Sequence, residues 1–170
     1  TRLAERAAAV AALLPADGRA AVLVGHSLGG PIVARVAADH PGRVAALVLL
    51  AASLDPALEE VHPMQPLGAW WPVHRLLPRA IRNANAELLA LRPELVALAG
   101  LLARITAPVI IVHGTEDALV PVANVLFIEQ CLGATRCRET VLLQGINHFL
   151  PWNSEAAVRS AIRWAASAPC

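Results

Sequence analysis

The chain has 170 residues, of which 56% are hydrophobic and 16% charged, and its formal net charge is +1. So apolar a composition excludes a disordered chain, and so small a charge excludes the strong field by which a protein binds nucleic acid or an anionic membrane surface. The length suits one domain with a sizeable buried core.

Residues 2–14 read as an amphipathic helix, with Leu3, Val10 and Leu13/Leu14 on the apolar face and Arg2, Glu5 and Arg6 turned away from it. Pro15-Ala16-Asp17-Gly18 stops it. Residues 20–24 are a short, continuous apolar strand of the kind covered on both faces in a parallel sheet. The strand runs into Gly25-His26-Ser27-Leu28-Gly29-Gly30, and a helix follows over 28–39, with Ile32, Val33 and Val36 facing inward and Pro31 tolerated in the first turn. This is a strand, a tight turn and a helix with G-x-S-x-G at the turn. Side chains at Gly25 and Gly29 are expected to strike neighbouring backbone, so that Ser27 is held at a sharp corner with its hydroxyl exposed. A Gly-rich turn in any α/β protein has the same pattern, so the motif alone does not decide for catalysis.

His40-Pro41-Gly42 ends that helix, and residues 44–50 form a second buried strand. The chain then changes character. Residues 55–104 hold Pro56, Pro63, Pro66, Pro72, Pro78 and Pro93 and the adjacent Trp70 and Trp71, with helical stretches near 71–77, 84–91 and 93–103. The segment is too long for a plain crossover and too apolar for a linker, and reads as a helical cap over the strand ends. Strand pattern returns at 108–113, followed by a helix over 121–132, a strand over 138–143, a loop through His148, and a last helix over 154–166 with Asn153 or Ser154 as its cap. The expected architecture is α/β: a parallel sheet of about four strands, right-handed crossovers and flanking helices. Residues 1–54 form a core segment carrying the serine turn, 55–104 the cap insertion and 105–170 a second core segment, all within one structural domain.

A serine hydroxyl is a poor nucleophile until an imidazole takes its proton and an anion holds that imidazole in the right tautomer. In an open parallel sheet such groups gather at the carboxyl ends of strands. His113-Gly114-Thr115-Glu116-Asp117 follows the third strand, and Gly145-Ile146-Asn147-His148 follows the fourth. The order Ser27, Asp117, His148 is the one expected when a nucleophile sits on such a turn. Asp55, after the second strand, is the weaker candidate acid, and Glu116 is one residue out of phase. His26 reads as shaping the turn rather than as the base, and His113 as hydrogen-bonding the turn before Asp117. His40, His62 and His74 read as solvated, and the arginines as mostly a solvated face. Trp70, Trp71, Met64 and Leu67 read more readily as cap core than as substrate contacts, and Asn83, Asn85 and Glu87 as caps or decoration of a cap helix.

With Gly25-His26-Ser27-Leu28-Gly29-Gly30, then His113-Gly114-Thr115-Glu116-Asp117-Ala118-Leu119-Val120-Pro121, then Asn147-His148-Phe149, the chain resembles the α/β-hydrolase superfamily. Within it the chain looks most like bacterial esterase/lipase-type enzymes with a short helical cap. The resemblance implies Ser27 as nucleophile, Asp117 as orienting acid, His148 as general base and the Leu28 backbone N–H as an oxyanion donor. His26, Trp70, Trp71 and Phe149 are the candidate substrate contacts. The implied activity is cleavage of small apolar carboxylic esters through an acyl-enzyme, with no cofactor and no metal. Thioesterase, C–C bond hydrolase, lactonase and perhydrolase chemistry, or a non-catalytic ligand-binding role, are the alternatives. A serine at the nucleophile position speaks against the dehalogenase and epoxide-hydrolase branches, which use a carboxylate there. The resemblance also implies strands before Thr1 and a His-Gly loop giving a second oxyanion donor, so the chain reads as the C-terminal portion of the fold. On that reading residues 21–24 are an exposed apolar edge, the missing donor costs about 100- to 1,000-fold in rate, and the chain alone is expected to be poorly soluble or nearly inactive.

Cys131, Cys137 and Cys170 are an odd set, which suggests a reducing, cytoplasmic setting, with a Cys131–Cys137 bridge as the lesser alternative. Their spacing does not suit zinc. The longest apolar run, residues 44–52, is too short to span a bilayer. Residues 7–14 mimic a signal-peptide core, but Glu5 precedes them and they read as an internal helix. Oligomeric state leaves no trace in the sequence.

Overall fold

Val44–Leu50 carries no side chain that water would hold at the surface, and in the computed structural model it becomes strand β2, deep in a four-stranded sheet. The structure describes residues 2–59, 79–167 and 170, and for residues 79–89 the backbone alone. Strand β1 (Ala21–His26) pairs with one side of β2 and strand β3 (Val109–Gly114) with the other. Strand β4 (Arg138–Leu143) lies beyond β3, and every pairing is parallel.

Alternation along the strands builds two cores. Leu47 and Leu49 of β2 and Val109 and Ile111 of β3 face helices α1 (Leu3–Ala11), α2 (Gly29–Asp39), α3 (Arg79–Leu102) and α4 (Asn124–Cys131). Right-handed crossovers between consecutive parallel strands bring α2, α3 and α4 to that one face. Ala46, Val48, Leu50, Ile110 and Val112 face the other way. There Leu150 of the short helix α5 (Leu150–Asn153) and Ala161 and Ala165 of α6 (Glu155–Ala166) cover them. Each fully buried leucine contributes about 1.5–3 kcal/mol over an exposed one, so the two central strands fix the register of the whole sheet.

The strands expected at 44–50 and 138–143 and the expected helix over 28–39 stand where the pattern put them, the last within one residue. Other expectations need correction. Helix α1 ends at Ala11, so Leu13 escapes the apolar face and is 83% exposed, while Ala7 joins Leu3 and Leu14 in the core. Strand β1 takes in Gly25 and His26, which pair with Leu49 and Leu50 of β2. The stretches expected at 84–91 and 93–103 form one helix, α3, running through Pro93. A proline inside a helix removes one backbone bond, but Leu91, Leu95, Leu98 and Leu102 bury one continuous stripe on both sides of it. The Leu3 N–H also reaches the Glu94 carboxylate at 3.0 and 3.1 Å, tying the start of α1 to α3.

Ser154 stands at the N-cap position of α6, one of the two expected, but makes no side-chain cap bond, and Asn153 Nδ2 donates to Asn147 Oδ1 at 2.8 Å. Cys137 is paired with Cys170, 33 residues away, and Cys131 is the free one, contrary to both the unpaired set and the Cys131–Cys137 bridge. The alternative bridge lay close in sequence, but Cys131 ends α4 whereas Cys137 leads into β4. His40 is exposed, as expected. The helical stretch at 71–77, together with His62, Met64, Leu67, Trp70, Trp71 and His74, lies outside the described residues, as do the side chains of Asn83, Asn85 and Glu87. Among the described residues no helix is long and apolar enough to cross a membrane.

Candidate active site

Ser27 ends the ladder of β1 and begins the turn into α2. Its N–H still donates to Leu50 O at 3.0 Å, and its carbonyl accepts from the Gly30 N–H at 2.9 Å. Between these two bonds the backbone must reverse, and Ser27 does so at φ 53°. A left-handed conformation at a non-glycine residue costs on the order of 1–3 kcal/mol and persists only where its surroundings impose it. The close packing falls on Gly25 and Gly30. A Cβ at Gly25 would lie 2.5 Å from Val33 Cγ2 and 2.6 Å from Gly29 O, and one at Gly30 would run into the Ala52 side chain. A Cβ at Gly29 would meet nothing, so the expectation of a clash there is corrected: Gly29 supplies the backbone that Gly25 must avoid. The Leu28 N–H makes no hydrogen bond among the described residues and stands at the N-terminal end of α2, where the helix dipole favours negative charge.

Asp117 is buried beyond the end of β3. Its Oδ1 accepts the Leu119 and Val120 N–H groups at 2.9 and 2.8 Å, and its Oδ2 meets His148 Nδ1 at 2.8 Å. The loops after β3 and β4 come this close because Gly114 has no side chain; a Cβ there would collide with Ile146 O. Glu116 and Ile146 are joined through the backbone at 3.0 Å, and the Gly145 N–H donates to Thr115 Oγ1 at 3.0 Å. The two rival acids are placed elsewhere. The Glu116 side chain is exposed, and Asp55 Oδ1 closes a local turn by accepting the Ala57 N–H at 2.8 Å.

His113 is fully buried under this loop. Its Nε2 donates to Val120 O at 3.0 Å, in the turn after Asp117 rather than before it, which corrects the expected partner. The same nitrogen is 3.6 Å from Asp117 Oδ2, and among the described residues Nδ1 has no hydrogen-bond partner. Burial pushes the His113 pKa below its ordinary value, against the opposing pull of the Val120 bond and the Asp117 charge.

His148 is 7% exposed. With Nδ1 given to Asp117, its Nε2 is the nitrogen left to act on a neighbour. Among the described residues no hydrogen bond joins Ser27 to His148; such contacts are often long before substrate binds. His26 does reach the loop: its Nε2 donates to the His148 carbonyl at 3.0 Å, so that nitrogen is engaged and is not the base. Four rings gather here. The His26 and His148 centroids are 4.8 Å apart, Trp152 stands edge-on to His26 at 5.9 Å, and Phe149 stands edge-on to His148 at 5.7 Å. Trp152 and Phe149 are mostly exposed beside the site.

Two participants have only weak signals in the sequence. Trp152 is one, because the short helix α5 that aims it at His26 has no periodic pattern of its own; its place four residues after His148 is the available signal. Asn124 is the other. Buried within an apolar helix, it accepts the Leu54 and Asp55 N–H groups at 2.8 Å each and donates to Pro121 O at 3.0 Å. It thereby ties the loop after β2 to the loop after β3, and an amide inside an apolar run was its only sequence signal. Among the described residues no group of three or more His, Cys, Asp or Glu side chains is placed to hold a metal.

Comparison with known proteins points one way. A family model described as alpha/beta hydrolase fold matches residues 3–76. The monoacylglycerol lipase of Mycolicibacterium smegmatis is 31% identical over 131 residues, which cover 61% of this chain and 46% of that protein; the chain thus spans about half the length of this curated relative. The crystal structure of the Paleococcus ferrophilus monoacylglycerol lipase superposes with a TM-score of 0.75 at 21% identity, over 99% of this chain and 76% of that one. An alpha/beta hydrolase enzyme from the sediment metagenome of the Mar Chica lagoon gives 0.71 at 16% identity, over 100% and 72%. At these identities the structural likeness speaks for the fold.

Proposed function

From the family match over residues 3–76 and the shared fold, we propose that this chain is a member of the α/β-hydrolase superfamily and a serine hydrolase cleaving carboxylic esters through an acyl-enzyme. The observation that carries the proposal is the buried Asp117–His148 bond at 2.8 Å, at the carboxyl ends of neighbouring strands, with Ser27 on a left-handed corner of the same sheet.

In this reading His148 Nε2 takes the proton of Ser27 Oγ as that oxygen attacks the ester carbonyl. Asp117 holds Nδ1–H and stabilises the imidazolium; the Leu119 and Val120 N–H groups hold its carboxylate in place. The oxyanion develops next to the Leu28 N–H. His148 then hands its proton to the departing alcohol, and water repeats the sequence on the acyl-enzyme. His113, neutral and bonded to Val120 O, holds the loop from below. The substrate class is a small to medium apolar acyl ester. Two lipases of monoacylglycerols among the relatives support a single-chain ester, and Phe149 and Trp152 offer it apolar surface. The cap role falls to the part of residues 55–104 before Leu91, since Leu91, Leu95, Leu98 and Leu102 of α3 belong to the core of the sheet. The odd cysteine count supports a cytoplasmic setting and the Cys137–Cys170 pair weighs against it; alkylation of free thiols in the cell decides between them.

The test is hydrolysis of p-nitrophenyl esters by the wild type and by Ser27→Ala. A loss on the order of a million-fold in turnover is expected where the triad acts as a unit. Equal turnover by both would rule the reading out.

A further inference from the structure

From the contact between His26 and His148 we infer that His26 is a positioning residue, which sets the general base against the nucleophile; the inference rests on the hydrolase reading above. Ser27 leaves β1, at one edge of the sheet, whereas His148 lies in the loop after β4, at the other. Neighbouring strands are about 4.8 Å apart, so the loop after β4 must fold back across the strand ends before His148 nears Ser27. The bonds from Thr115 and Glu116 secure that loop only to β3 and its own neighbourhood. Among the described residues one side chain on β1 hydrogen-bonds to it. His26 Nε2 bonds the His148 carbonyl at 3.0 Å, and among the described residues no other hydrogen bond joins β1 to residues 144–149.

Because a carbonyl can only accept, that bond fixes His26 Nε2 as the protonated nitrogen. The ring then lies 4.8 Å from the His148 ring, with Trp152 closing its far edge at 5.9 Å. His26 therefore holds the backbone of the base and limits the swing of its imidazole, while its own neighbour in sequence is the nucleophile. An error of about 1 Å in such an alignment costs on the order of a hundredfold in rate. The G-x-S-x-G position before the serine thus acts in the geometry of the reaction without touching its atoms.

The experiment compares wild type, His26→Phe and His26→Gln in fluorophosphonate labelling rate and in kcat and KM for p-nitrophenyl butyrate. Phenylalanine keeps a ring and loses the donor; glutamine keeps a donor at the same reach. The expected result is a roughly tenfold fall in labelling rate and kcat for His26→Phe, the size of one lost hydrogen bond. KM stays within about twofold, and His26→Gln recovers most of the loss. An unchanged rate in His26→Phe, a change confined to KM, or no recovery in His26→Gln overturns the positioning role. Nitrogen-15 spectra of the histidines in the wild type give an answer that does not depend on the variants folding: a slowly exchanging Nε2–H at His26 is expected, and an Nδ1–H tautomer overturns the inference. A wild type that is not labelled overturns the hydrolase reading and this role with it. A labelled wild type whose variants break the pattern overturns this role alone.

Discussion

Asp117 Oδ2 and His148 Nδ1 lie 2.8 Å apart across the ends of two neighbouring strands, with the carboxylate side chain fully out of water and the imidazole nearly so. The carboxylate is not left bare, because two backbone N–H groups of its own loop bind the other oxygen. Replacing it with a neutral amide keeps the shape and removes the reason for the imidazole to hold its proton on Nδ1. Asp117→Asn should therefore fold normally and lose about 10⁴-fold in kcat. Asp55→Asn, whose carboxylate serves only a local turn, should stay within about twofold of wild type. Steady-state ester hydrolysis with the two variants side by side checks this.

Glycine matters at the serine turn by position rather than by motif. At Gly25 a methyl group would overlap Val33 and the Gly29 carbonyl, whereas at Gly29 it would enter open space. Overpacking of that kind costs about 1–3 kcal/mol, which in a chain of this size lowers Tm by roughly 2–12 °C. Gly29→Ala should leave Tm within about 2 °C of wild type. Thermal melts of both variants test the distinction.

Asn124→Ala would strand the Leu54 and Asp55 N–H groups, both now served by one buried amide oxygen. Each unsatisfied buried donor costs about 1–3 kcal/mol, so a loss of about 2–4 kcal/mol in urea unfolding is expected. Asn153→Ala, on an exposed side chain, should cost less than about 0.5 kcal/mol.

These contacts separate what the sequence carries from what only folding creates. Val44–Leu50 and Arg138–Leu143 were legible to the residue, because continuous apolar or alternating runs between breakers leave one reading. Asp117 and His148 were legible because each follows a strand at the end where an open sheet gathers its reactive groups. The single helix through Pro93 was not, since local proline chemistry argues for a break and only the burial of Leu91, Leu95, Leu98 and Leu102 overrules it. The partner of Cys137 and the bond from His26 to His148 are also products of tertiary approach: each joins residues 33 or 122 positions apart, with no local pattern to announce it. Gly29 misled because a motif marks which residues recur, not which one bears the clash.

His113 gives the fold a pH dependence of definite sign. Its pKa is lowered in the folded chain, chiefly by burial, while in the unfolded chain it takes the ordinary value near 6.5. The unfolded state therefore binds a proton that the folded state refuses. The contribution is complete above about pH 6.5 and is lost as pH falls below it toward the lowered value. Urea midpoints measured from pH 8 to pH 5 should fall more steeply for the wild type than for His113→Gln, which cannot titrate. Parallel slopes would contradict the assignment.

The most direct measurement is the mass of the chain after reaction with a fluorophosphonate, followed by mapping of the modified peptide. A single adduct is expected on the peptide containing Ser27, absent from Ser27→Ala and strongly slowed in Asp117→Asn. An unmodified wild type, or an adduct that persists in Ser27→Ala, would contradict it.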